Sequence, residues 1–277
     1  MFDTHCHLQE LDDVDAAIAR AHAAGVGHML LAGVAPEHWD RDDALAARHA
    51  SLLISYGLHP QLVPSLDDAA CDRIVAGLDE RLAGRDRHDL HEPHDSHDSH
   101  DSRDSRVVAV GEIGLDGVGE RREAMARQER VFRAQLAIAR KHRLPVALHV
   151  LREHPRALAI LRDEPLPQGG VLHSCSASPE LVREYVALGF YISFSGSITW
   201  HDGANKAARA AALVPRDRLV VETDAPDQTP EPQRPGRNEP AFLVAIVQSI
   251  AHLWGVDFAD AARITDDNAR RLFNLKK

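Results

Sequence analysis

The 277-residue chain is too long for one small module and suits two ordinary domains or one large α/β barrel, which needs roughly 250 residues. Its hydrophobic share of 44% supports a sizeable core, and its aromatic share of only 5% means that aliphatic side chains must fill it, as barrel interiors prefer. Forty-two acidic against 32 basic residues leave a net charge of −10, which disfavours a protein whose main task is gripping nucleic acid by charge.

Short aliphatic or β-branched runs alternate with longer helical patterns along the chain. Strands are expected at Phe2–His7, Val26–Val34, Leu52–Gly57, Val107–Gly111, Pro145–His149, Gly170–His173, Phe190–Ser193 and Arg218–Asp224. Between them, Arg121–His142 carries Met125, Phe132, Leu136 and Ala139 at helical spacing on one face. Asn238-Glu239-Pro240 reads as a helix start, a cap followed by an acid and a proline, continuing through Phe242, Ile246, Ile250 and Leu253. The end of the chain reads as two short helices, with Thr265 capping the second before Asn268, Leu272 and Phe273. Eight strands alternating with helices predict a parallel sheet, and the number eight predicts closure into a single (β/α)8 TIM barrel over residues 1–277. No G-x-G-x-x-G follows the first strand to favour an open doubly wound sheet.

One segment departs from this pattern. A flexible insertion is expected at 85–106, centred on the His-Asp-Ser repeat from His88 to Ser105, whose composition cannot build a core. The repeat holds five of the 18 histidines, so it reads either as a metal-gathering tract or as an expanded surface loop. Its position between a helix and the following strand puts it at the bottom of a barrel, away from the active face, which favours the loop.

The chemistry-bearing residues stand at strand ends. His5 and His7, two apart on a strand, face one side while Cys6 points into the outer packing layer. Glu112 falls just after its strand, and His149, His173 and Asp224 each end one. Four imidazoles and two carboxylates at the carboxyl ends of barrel strands predict a metal site. Six ligands exceed the needs of one tetrahedral ion, so two divalent ions sharing a carboxylate are expected, with Zn²⁺ or Mn²⁺ suited better than Mg²⁺ by the imidazoles.

Asp3-Thr4-His5-Cys6-His7-Leu8, Gly57-Leu58-His59-Pro60, Gly111-Glu112-Ile113-Gly114-Leu115-Asp116, Gln135-Leu136 with Leu144-Pro145-Val146, Glu222-Thr223-Asp224-Ala225-Pro226 and Arg237-Asn238-Glu239-Pro240 follow one another along nearly the whole chain. In these stretches the chain resembles the TatD family of metal-dependent deoxyribonucleases, a branch of the amidohydrolase-like barrels. The resemblance implies that His5, His7 and Asp224 hold one ion, that His149 and His173 hold the other, and that Glu112 bridges them. It implies that Asp224 also orients the attacking water and accepts its proton. His59 is placed on the substrate side, or alternatively caps or packs ahead of Pro60.

The chain departs from the family pattern at three places. Leu151, followed by Arg152, stands where an arginine is usual, and Arg152 reads as a substitute phosphate contact or as an exposed helix-start arginine. Cys175 and Ala177 replace an aromatic and a glycine, and Gly117 replaces a tyrosine. All three touch the substrate rim and none removes a ligand, so hydrolysis is better supported than any one substrate.

The expected activity is metal-dependent cleavage of DNA phosphodiesters, from DNA ends. Hydrolysis of another bond, such as an aminoacyl-tRNA ester, cyclic amide or lactone, is the alternative, and a non-enzymatic metal-binding protein is a second. A Schiff-base aldolase is excluded because the four lysines, Lys141, Lys206, Lys276 and Lys277, lie away from strand ends. Cys6, Cys71 and Cys175 form no C-x-x-C pair, no apolar run approaches the ~18 residues of a membrane span, and Met1-Phe2-Asp3 opens without a signal pattern. A cytoplasmic protein without membrane contact or a stable protein partner is expected.

Overall fold

The structure, a computed structural model, describes residues 1–88, 106–200 and 205–275. The strands are β1 (Phe2–Cys6), β2 (His28–Leu31), β3 (Leu52–Tyr56), β4 (Val107–Asp116), β5 (Val146–Leu151), β6 (Gly170–Leu172), β7 (Phe190–Phe194) and β8 (Leu219–Val221). They form one parallel eight-stranded sheet in sequence order, the connectivity of a (β/α)8 barrel. The seam between β8 and β1 is held by the amide of Asp224 donating to the His5 carbonyl at 3.0 Å and that of His7 donating to the Ala225 carbonyl at 2.7 Å.

Two apolar layers follow from the period-2 alternation. Phe2, Leu30, Leu53, Val108, Ala147, Val171, Tyr191 and Val220, one from each strand, meet inside the barrel. Ala269, Leu272 and Phe273 close this floor from below. The opposite strand faces pack under the helices, with Leu31, Ile54, Val110, Leu148, Leu172, Ile192 and Val221 in the outer core. Cys6 is buried in that layer, on the side the alternation predicts.

Two bulges interrupt the alternation where the site lies. Between Asp3 and Cys6, β1 gains one residue over β2. Thr4 therefore reaches Ser193 of β7 while its neighbour His5 reaches Glu112 of β4, and both face the interior. Between Val110 and Ile113, β4 gains one over β5. Val110 and Ile113, three apart, both sit in the outer core, which leaves Glu112 inside.

Several local expectations are corrected. The helix expected from Arg121 opens as a 3-10 segment, Gly119–Ala124, before the α-helix Met125–Lys141. Asn238 does not cap: its amide donates to the Thr223 and Asp227 carbonyls, and a 3-10 turn, Pro240–Phe242, leads into the helix Leu243–Trp254. The chain end is one helix, Phe258–Leu272, capped by Asp257, whose carboxylate accepts from the Asp260 amide. Thr265 lies inside it because its hydroxyl donates back to the Ala261 and Ala262 carbonyls instead of accepting an N–H. The helix Asp68–His88 carries helical backbone into the segment expected as an insertion at 85–106, and residues 89–105 of that segment lie outside the described residues.

Candidate metal centre

Glu112 is the hub. Its carboxylate is buried in the barrel mouth, with its two oxygens facing two different groups of side chains. Oε2 lies 3.0 Å from His5 Nε2 and 3.4 Å from His7 Nε2. Both of these imidazoles also approach Asp224 Oδ1, at 3.9 and 3.7 Å. Oε1 lies 3.0 Å from His173 Nε2, 3.2 Å from His59 Nε2 and 3.6 Å from His149 Nδ1. The six residues expected as ligands thus converge, and His59 joins them.

The second ring nitrogens distinguish the imidazoles. His149 Nε2 lies 3.3 Å from Asp116 Oδ2, so its proton belongs there and the Nδ1 lone pair faces inward. His173 Nδ1 sits 3.6 Å from Glu222 Oε1, which leaves Nε2 inward. His59 is the reverse case: its Nδ1 accepts from the Gln61 amide at 3.1 Å, so the neutral ring carries its proton on Nε2, toward Glu112. That tautomer suits a hydrogen-bond donor better than a ligand.

Short approach is not satisfaction. Both nitrogens of His5, Nδ1 of His7 and both oxygens of Glu112 are buried with no well-directed hydrogen bond. Nitrogen lone pairs and carboxylate oxygens converging this closely are satisfied by cations, and three overlapping groups have ligand atoms within 4.8 Å of one another: His5, His7 and Asp224; His59, Glu112 and His149; His5, Glu112 and His173. The chemistry of the donor set therefore fits divalent metal.

Without metal, protons serve as the counter-charge. Burial would raise the Glu112 carboxyl, but His5, His173 and His59 overcome it and hold it well below the usual range. Burial opposes charge on His173, yet Glu112 and Glu222 hold its value well above normal. His149 is raised against its burial by Asp116 and Glu112, whereas burial pushes His59 down to about 4. Asp224 is raised by burial against the opposing pull of His173 and His5. Its backbone lies in the left-handed region at φ 58°, an uncommon conformation for a residue with a side chain, just past the end of β8.

Several supporting residues escaped the sequence reading. Asp116 lies in a quoted motif, but its service to His149 depends on β4–β5 register, and it is anchored by Gln61 at 3.0 Å and Arg121 at 2.7 Å from the connections after β3 and β4. Glu222 accepts from the Ser174 amide at 2.5 Å besides facing His173. Gln228 donates to Asp224 Oδ2 at 3.2 Å and to Ser174 Oγ. At the departures from the family pattern, Cys175 is buried with its thiol pushed up to about 12 by burial. Gly117 faces the Glu153 carboxylate, 2.7 Å from where a Cβ would stand, so that carboxylate occupies the space a larger side chain would need. Arg152 is exposed at φ 63° in the connection before the helix His154–Asp163, so it does not start that helix.

Residues 2–274 match the family model described as TatD related DNase. The uncharacterized metal-dependent hydrolase YabD of Bacillus subtilis is 32% identical over 99% of both chains. The 3'-5' ssDNA/RNA exonuclease TatD of Cronobacter sakazakii is 34% identical over 94% of this chain and 92% of its own. Among solved structures, the TatD homologue YjjV of Escherichia coli K12 superposes with a TM-score of 0.85 at 30% identity, covering 100% of this chain and 98% of its own.

Proposed function

The chain belongs to the TatD-related DNase family, and from that premise we propose that it is a divalent-metal-dependent hydrolase of nucleic-acid phosphodiesters, a deoxyribonuclease working from strand ends. One observation carries the reading: a single buried carboxylate, Glu112, turns one oxygen to His5 and His7 and the other to His149 and His173. In that arrangement His5, His7 and Asp224 would hold one divalent ion and His149 and His173 a second, with Glu112 shared between them. The imidazole-rich donors suit Zn²⁺ or Mn²⁺ better than Mg²⁺. When bound, such ions polarise a phosphodiester and lower the pKa of water toward neutrality.

The protein's own groups do the rest. Asp224, anchored through Oδ2 by Gln228 and raised by burial, accepts the proton of the attacking water. Asp116 and Glu222 fix the rings of His149 and His173. His59 presents an N–H, in position to donate to Glu112 or to a substrate oxygen. The chain's buried, free cysteines suit a cytoplasmic setting.

The test is a panel of single-stranded DNA, RNA, aminoacyl-tRNA and lactones, assayed with stripped protein reloaded with Mn²⁺, Zn²⁺ or Mg²⁺. Metal-dependent release of nucleotides from DNA ends is expected. Turnover of an ester or lactone with no action on DNA overturns the reading in favour of another hydrolysed bond.

A further inference from the structure

A cleft of about 480 Å³ opens beside the metal centre, lined by Ser174, Ser197, Trp200, Lys206 and Gln228 among others. Its volume falls within the ~300–1,000 Å³ of small-molecule sites. It is continuous with the centre through three hydrogen bonds. The Ser174 amide donates to Glu222, which faces His173, and Gln228 spans from Ser174 to Asp224. A ligand in the cleft therefore lies against Ser174 and Gln228, and Gln228 in turn holds Asp224, the group proposed to handle the water's proton.

Ser174, Ser197, Asn205 and Gln228 supply polar groups to the walls, and Trp200 is the aromatic among the residues lining the cleft. Its orientation is fixed. The indole Nε1 donates to the Thr229 carbonyl at 2.9 Å, and the Arg234 guanidinium lies 5.2 Å from the ring centre. Asn205 clamps the backbone on which it stands, donating to the Ile198 and Trp200 carbonyls at 2.8 Å each and accepting from the Ala208 amide. A partly buried indole held this firmly is a rigid π surface. Lys206 brings an exposed ammonium to the same cleft and has no ion pair among the described residues, in a chain with only four lysines.

We infer that this cleft is a nucleobase subsite: the base next to the scissile phosphate stacks on Trp200, while Lys206 meets the phosphate backbone. The inference rests on the proposed nucleolytic activity and adds the part of the substrate that is recognised. Stacking is sequence-tolerant because every base has a π face, and one aromatic with one cation gives local affinity on a chain of net charge −10.

The experiment compares a thymidine oligonucleotide with a fully abasic strand of equal length, on wild type, Trp200→Ala and Trp200→Phe. Binding to the full-length chain is read without metal from the fluorescence anisotropy of a dye-labelled strand, and kcat and KM are read with metal. Wild type should prefer the thymidine strand by roughly 5- to 150-fold, the range of one base–aromatic stack, mainly in Kd and KM. Trp200→Ala should lose that preference while treating the abasic strand as wild type does, and Trp200→Phe should keep most of it. Equal preference in wild type and Trp200→Ala, or an equal loss on both strands, overturns the base subsite and leaves the nuclease reading standing. Absence of turnover of either strand by metal-loaded wild type overturns the nuclease reading and this assignment together.

Discussion

Asp224 combines two demands on one carboxylate, and its removal is the sharpest test of the site. The side chain is 11% exposed, approaches His5 and His7 through Oδ1 and is held by Gln228 through Oδ2. Asp224→Ala should fold normally by circular dichroism yet lose at least ~10²–10⁴-fold in turnover, the range of general-base catalysis. Near-normal turnover of the metal-loaded variant contradicts the role. Asp116→Ala and Glu222→Gln should each weaken metal binding by about 10–100-fold, read by competition with a chelator, because each frees a ring that must be aimed. Metal affinity should also climb with pH. His149 and His173 are raised above the ordinary imidazole value, so their protons compete with the ion below those values. In the metal-free protein the same raised values favour folding at low pH, fully below about 6.5, and that contribution is lost as pH rises through them. The thermal shift on adding Mn²⁺ should therefore grow from pH 6 to pH 8, and a shift that shrinks over that range contradicts the assignment.

Among the elements, β4 sets the site, and its glycines set β4. Gly114 takes φ +143° and lies against β5, where an added Cβ would stand 2.0 Å from the His149 carbonyl oxygen. Gly114→Ala should therefore displace the His149 backbone, lowering metal affinity as well as thermal stability. Retention of both would mean that β5 can give way. The helix Phe258–Leu272 and Phe273 beyond it close the barrel floor, Phe273 packing on Phe2 with ring centres 5.5 Å apart. Phe273→Ala should cost about 3–5 kcal/mol in denaturant unfolding, as emptied aromatic core positions do. Its distance from the mouth predicts little change in kcat for the protein that remains folded.

Across the barrel, the two ends have separate tasks. The His-Asp-Ser repeat joins the helix ending at His88 to the amino-terminal end of β4, whereas Glu112, Asp116, His149, His173 and Asp224 occupy the carboxyl-terminal side. Replacing residues 89–105 by a short Gly-Ser linker should leave metal-loaded turnover within about two-fold and remove only weak metal binding that fades as histidines protonate near pH 6.5. Loss of turnover at saturating metal would place the repeat in the reaction and revive the metal-gathering alternative.

Much of this protein was legible along the chain, because strand alternation and strand-end position are local properties. Aliphatic runs at barrel spacing specified the eight strands, and His5, His7, Glu112, His149, His173 and Asp224 were legible as ligand-type side chains toward the carboxyl ends. Even so, β4 runs on past Glu112 to Asp116 and β5 past His149 to Leu151, beyond where the sequence reading stopped them. Helix boundaries were less legible: Thr265 looks like a cap in isolation, yet inside a packed helix its hydroxyl bonds the preceding turn. The bulges in β1 and β4 were invisible, since a one-residue slip is defined against the neighbouring strand and not within the segment that carries it. Hidden for the same reason were the pairings of Asp116 with His149 and Glu222 with His173, and the cleft that Ser174, Trp200 and Gln228 form from three separate connections. Such contacts join residues tens of positions apart, and closing the sheet into a barrel is what brings them within bonding distance.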